Sequence, residues 1–118
     1  MDREVTAWME KYVKAWRSND PLDIRELFSE DAVYATRPHD PEPWQGRDEI
    51  VRRWIAVGDD PSDWSFEWAL LGRDGDLAFV QSATEYVSTQ TTQDNLWIIR
   101  FEPDGRASSF TEWSIARK

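Results

Sequence analysis

Residues 95–118 read NLWIIRF, EPDG and RASSFTEWSIARK, and no other stretch restricts the fold as strongly. Two runs rich in β-branched and aromatic residues flank a Pro-Asp-Gly turn, where Gly105 can take the positive φ of a tight loop. The pattern predicts a β-hairpin of two long strands. Side chains alternate between the faces of a strand. Trp97, Ile99 and Phe101 therefore share one face, and Leu96, Ile98 and Arg100 the other. On the second strand Phe110, Glu112 and Ser114 stand opposite Ser109, Thr111, Trp113 and Ile115. Both faces are apolar around residues 97–99. One is expected to meet helices and a pocket, the other a second subunit in a homodimer.

The core built on that hairpin has to be small, because 118 residues allow one domain, spanning 1–118. Eight tryptophans are many for this length. Each buries a large ring but wants a partner for its N–H, which points to an aromatic interior holding polar atoms, or to a cavity. The net charge of −9 argues against nucleic acid and against an anionic membrane surface. No run is long enough to cross a bilayer. The start, MDREVTAW, lacks the apolar segment of a signal peptide. With no cysteine there is no disulfide or thiolate chemistry. A cytoplasmic protein is the expectation.

Upstream of the hairpin, Val5, Trp8, Met9, Tyr12, Val13 and Trp16 follow the spacing of one helical stripe. Asp20 and Pro21 open a second, short helix with Ile24, Leu27 and Phe28 inward, ended by Ser29-Glu30-Asp31. Residues 32–36 read as a strand. Three prolines in residues 37–43 then impose a stiff loop. A third helix is expected over 47–57, with Gly58 as its stop. Trp64, Phe66, Trp68 and Leu70 alternate as a strand. Asp74-Gly75 predicts a hairpin turn into a partner strand over 77–87, with 88–94 a loop or frayed end. Three helices with one short strand among them, then four antiparallel strands, make an α+β fold with helices on one side of a curved sheet.

The segments YVKAWRSND at 12–20, LFSEDAVY at 27–34 and GRDEI at 46–50, with FEPDGR at 101–106 and FTEW at 110–113, resemble the nuclear transport factor two-like superfamily. Within it the chain is most similar to SnoaL-like domains and more distantly to ketosteroid isomerase. The resemblance implies a cone: a strongly bent sheet wrapped around the first helix, a pocket at its open end, and frequent homodimers through the convex face. Ketosteroid isomerase carries an oxyanion-donating tyrosine on the first helix, which Tyr12 matches. The places of its proton-shuttling and second acids hold Thr36 or Arg37, and Trp97, so steroid isomerisation is not expected. SnoaL-like cyclases use an acid on a late strand. Glu112 is the nearest match here, with Trp97 where those enzymes carry a histidine.

On that geometry Tyr12, Trp16, Tyr34, Gln81, Trp97, Phe110 and Glu112 converge on one cavity. A carboxylate among aromatic rings loses hydration and its pKa rises, which suits a general base near neutral pH. Glu112 and Tyr12 are the catalytic candidates, the others lining for a flat, apolar, modest-sized molecule. The reaction type is cofactor-free acid/base chemistry: isomerase, dehydratase or cyclase. The structural alternative pairs Glu112 with Arg37, Arg47 or Arg100 and makes Tyr12 a core residue. A non-catalytic ligand-binding module, or a dimeric scaffold with its hollow filled by tryptophan, stands beside the enzyme. Trp68 is a further lining candidate, while Trp8, Trp54 and Trp113 are assigned to packing or dimer contacts. His39, the only histidine, sits in the Pro-rich loop as an exposed residue; a lone His makes no metal site. Asp59-Asp60 and Arg52-Arg53 read as solvated charges.

Overall fold

Helix α1 (Arg3–Ser18) starts where the Asp2 side chain accepts the Val5 N–H at 3.0 Å and ends at Asn19, which is left-handed at φ 51°. The computed structural model describes residues 2–118. Helix α2 (Pro21–Arg25) is one turn, capped by Asp20. Strand β1 (Phe28–Ala35), the two-residue β2 (Trp44–Gln45) and helix α3 (Arg47–Val57) follow. Four long strands then complete the chain: β3 (Trp64–Asp74), β4 (Leu77–Tyr86), β5 (Thr91–Phe101) and β6 (Ala107–Ala116). The six strands form one open sheet in the order β2-β1-β6-β5-β4-β3, with β1 parallel to β6 and every other pair antiparallel. Register shifts in β1, β3 and at the β5–β6 turn bend it, as bulges do. The fold is an α+β cone with the helices at the N-terminal end of the chain.

The third helix has the expected bounds, and Gly58 closes it at φ 51°. The final hairpin also forms as expected, with Gly105 at φ 88°. The second helix is shorter than the spacing suggested. Leu27 and Phe28 are fully buried, but Phe28 opens β1 and pairs with Ala107, so Ser29-Glu30-Asp31 lies inside a strand. A five-residue helix gains little from propagation, and pairing with β6 wins. The polar run after Ser88 is mostly strand as well: β5 begins at Thr91 and pairs with β4 as far as Tyr86. Trp44 and Gln45, after the prolines, pair with Tyr34 and Val33.

Helix α1 lies against the concave face of the sheet. Trp8 is 1% exposed, sits edge-on to Phe28 and Phe101, and donates its N–H to the Leu27 carbonyl at 2.9 Å. That bond ties the helix to the start of β1. On the convex face, Leu96 lies opposite Trp113, which is 44% exposed. Among the described residues no helix is long and apolar enough to cross a membrane.

Candidate functional site

Register lays out the concave face in rows. Ala78, Ile99 and Phe110 face one another across β4, β5 and β6, and Phe110 meets Tyr34 of β1. The next row is Val80, Trp97 and Glu112. Beyond it come Ser82, Asn95 and Ser114. Step by step an apolar floor gives way to polar side chains, and there a cavity of about 240 Å³ opens. Helix α1 supplies Tyr12 and Trp16 to its wall, α3 supplies Trp54, and β2 supplies Trp44.

The Tyr12 and Tyr34 hydroxyls are hydrogen bonded at 2.9 Å. Burial, foremost, pushes both phenols well above their ordinary range, and the nearby Glu112 charge adds to it. Both stay protonated. One donates to the other, which leaves a second O–H to donate into the cavity.

Glu112 stands directly across from Trp97 in the β5–β6 ladder. Loss of hydration among the rings pushes its carboxyl from 4.5 up to about 7; the Asp59 charge adds to the rise and the Trp97 indole partly offsets it. The Trp97 N–H is buried and makes no hydrogen bond of ordinary geometry. No basic side chain lines the cavity among the described residues. Arg100 is paired with Asp76 at 2.7 Å, so the ion pair considered for Glu112 does not form there.

Asp59 is the second carboxylate of the wall. Its Oδ2 accepts the Trp16 N–H at 3.1 Å and the Tyr86 O–H at 3.4 Å, and its backbone carbonyl accepts from Asn19 at 3.2 Å. Burial, then the Asp59 charge, pushes Tyr86 up to about 12. Asn95 holds its amide nitrogen 3.5 Å from Thr84 Oγ1 and from the Gln93 carbonyl, while its Oδ1 is buried without a partner.

Five of the seven expected residues therefore meet: Tyr12, Trp16, Tyr34, Trp97 and Glu112. Gln81 does not. It is exposed on the convex face, opposite Leu96, because the even-numbered residues of β4 turn inward. Phe110 is fully buried one row below the cavity, stacked 4.4 Å from the Tyr34 ring, and is floor rather than lining. Trp68 is outside the wall, while Trp54, assigned to packing or dimer contacts, is part of it. Asp59, read as a solvated charge, lines the cavity. Tyr86, Trp44 and Asn95 were not singled out. For Tyr86 and Asn95 the parity with Thr84 and Trp97 carried the signal. His39 is exposed, at φ 54°. Among the described residues no three His, Cys, Asp or Glu side chains are grouped to hold a metal ion.

A carboxyl group that titrates near neutrality can take up and return a proton. A phenol pair held protonated beside it can donate to a developing oxyanion. The SnoaL-like domain profile matches residues 9–117. No curated protein matches the sequence. Among solved structures, a steroid delta-isomerase from Pseudomonas aeruginosa superposes with a TM-score of 0.69 at 18% identity, over 98% of this chain and 82% of that one. A candidate ketosteroid isomerase from Kribbella flavida gives 0.75 at 21%, over 98% and 80%. A LEH-like epoxide hydrolase from M. tuberculosis gives 0.66 at 16%, over 95% and 83%. At these identities the likeness is one of fold.

Proposed function

Because the chain belongs to the SnoaL-like domain family, we propose that its cavity takes a small, flat, largely apolar carbonyl compound and that Glu112 moves a proton beside that carbonyl. The observation that carries this reading is the Glu112 carboxylate: set among aromatic rings, without a cationic partner, and pushed up to about 7. A structural carboxylate is ordinarily paired, and its pKa falls. In the proposed step the ionised Glu112 takes the proton from the carbon next to the carbonyl. The electron pair moves onto the oxygen, which receives the O–H of the Tyr12–Tyr34 pair. Glu112 then returns the proton to the same carbon, or to another for isomerisation. No cofactor enters the step. The steroid delta-isomerase fold neighbour supports the class of chemistry, while Thr36 or Arg37, and Trp97, at two of that family's acid positions speak against steroids as substrate.

The test uses 2-indanone and 2-tetralone, flat ketones with labile α-protons. Deuterium exchange followed by NMR should be faster with the protein than in buffer. The Glu112→Gln variant should lose the acceleration by roughly a hundredfold or more without a fall in melting temperature. Equal exchange in both proteins would remove Glu112 from the reaction. A large drop in melting temperature would make it structural.

A further inference from the structure

Two carboxylates, Asp59 and Glu112, share this cavity, and no cationic side chain lines it among the described residues. Charges of one sign in a half-enclosed site call for a counter-charge. The chain places its own cations elsewhere. Arg25 is with Asp48 at 2.6 Å and Arg117 with Asp94 at 2.6 Å, and Arg17 lies 4.9 Å over the Trp64 ring, outside the wall.

The neutral groups point the same way. Asn95 is 7% exposed, lines the cavity, and has a buried Oδ1 without a donor. Asn19, also on the wall, has an unpartnered, buried Oδ1 as well. Both hydrogen bonds to the Asp59 side chain fall on Oδ2, which leaves Oδ1 available. Much of the remaining wall is indole: Trp16, Trp44, Trp54 and Trp97. Indole faces attract cations more strongly than other aromatic rings do. Carboxylates, acceptor oxygens and π-faces with no fixed cation together favour a positively charged hydrogen-bond donor. The net charge of −9 draws such molecules toward the protein.

We propose that the ligand of this cavity carries a protonated amine, seated between Asp59 Oδ1 and the indole rings, with Asn95 Oδ1 accepting one of its N–H groups. This rests on the reading of the cavity as a small-molecule site and narrows the substrate class to carbonyl compounds whose aromatic or alicyclic body also carries an ammonium group. A neutral molecule of the same shape forgoes the attraction of both carboxylates and of the ring faces. An anion is repelled by them.

Three probes of one shape and different charge decide it: benzylammonium, benzyl alcohol and benzoate. Each is titrated into the full chain at about pH 7.5, where benzylamine is protonated, by tryptophan fluorescence and calorimetry. Benzylammonium should bind at least tenfold or so more tightly than benzyl alcohol, and benzoate should not saturate. Asp59→Asn keeps an acceptor for Trp16 and Tyr86 but removes the charge. It should weaken benzylammonium several-fold, narrowing its lead over benzyl alcohol, while the alcohol changes much less. If that variant fails to fold, the order of the three probes on the native chain decides alone. Equal binding of amine and alcohol, tighter binding of benzoate, or no binding of any probe overturns the proposal. If ketone exchange still depends on Glu112 in that case, the acid/base reading survives without the amine. If exchange also fails, both fall.

Discussion

In the closed half of the cone, Trp8 is sealed among Tyr12, Phe28, Phe101 and Phe110 and its N–H is satisfied by the Leu27 carbonyl at 2.9 Å. In the open half, Trp97 is as deeply buried, at 2% exposed, yet its N–H makes no hydrogen bond of ordinary geometry and only offsets part of the Glu112 shift, while Asn95 Oδ1 on the same strand has no partner. Both halves use the same helix and the same face of the sheet. An orphaned buried polar atom costs about 1–3 kcal/mol, and a small domain holds only about 5–15 kcal/mol in total. The packing around Trp8 is thus organised for stability, while the cavity wall carries unpartnered polar atoms whose cost a bound molecule would offset. That asymmetry locates the site more firmly than the aromatic content does, because rings fill both halves.

The same substitution in each half is the most direct way to break this comparison. Trp8→Phe removes a satisfied hydrogen bond and part of a tightly packed ring, and should cost about 2–4 kcal/mol. Trp97→Phe removes an N–H that makes no well-formed hydrogen bond in the protein and opens space beside an existing cavity. It should cost about 1 kcal/mol. Urea unfolding of the two variants measures the gap. Equal losses would mean that the open half is core like the rest.

A second, smaller effect sharpens the contrast through pH. The folded-state pKa of Glu112 lies near 7, above its ordinary 4.5. Between those values the folded chain holds more protons than the unfolded one, so this group's contribution to stability falls as pH rises through the window. Above about pH 7 the full cost of a charged, poorly hydrated Glu112 is present. Each pH unit of displacement is worth about 1.4 kcal/mol, so a rise from 4.5 to about 7 makes the cost on the order of 3 kcal/mol. Glu112→Gln should therefore match the native chain near pH 4 and exceed it near pH 8. Taking the difference cancels Asp2, Asp40, Asp60, Asp94 and Asp104, whose carboxyls hydrogen bonds hold low in both proteins. A difference that is flat with pH, or favours the native chain at pH 8, would show that Glu112 is comfortable where it stands.

Much of this was legible in the sequence, for identifiable reasons. Helix periodicity placed Tyr12 and Trp16 on the buried stripe of α1, and strand parity put Trp97 and Glu112 on one side of the hairpin. Parity failed for Gln81 because the sheet is apolar on both faces: Leu77 and Phe79 made the odd side of β4 look like the inside. The smaller Ala78 and Val80 turn inward instead, both fully buried, because the rings of α1 already fill that space. Phe110 shares the right face but lies one row too deep, and alternation alone does not report depth. Asp59 enters through a loop fastened to Asn19, forty positions earlier, by a hydrogen bond to its backbone. No local pattern encodes that closure. Trp44 reaches the wall because β2 folds back on β1 and stacks its ring 4.6 Å from Tyr34, after a proline run that read only as loop.

The smallest predicted effect on stability is at Asn95. Its amide nitrogen reaches Thr84 and Gln93 only at 3.5 Å, the outer limit of a hydrogen bond, and its oxygen reaches nothing. Leucine has nearly the same shape and no polar atom to leave orphaned. Asn95→Leu frees the chain of one unsatisfied acceptor and deprives Thr84 Oγ1 of a weak donor, two terms of opposite sign. The net change should lie within about 1 kcal/mol of zero and lean toward stabilisation. Benzylammonium binding should nonetheless weaken several-fold, because the lost oxygen is the proposed acceptor for its N–H. Stability kept and binding lost would mean that the polar row serves the ligand. A loss above about 2 kcal/mol would instead make Asn95 part of the scaffold, and the line drawn between the two halves would have to move one row outward.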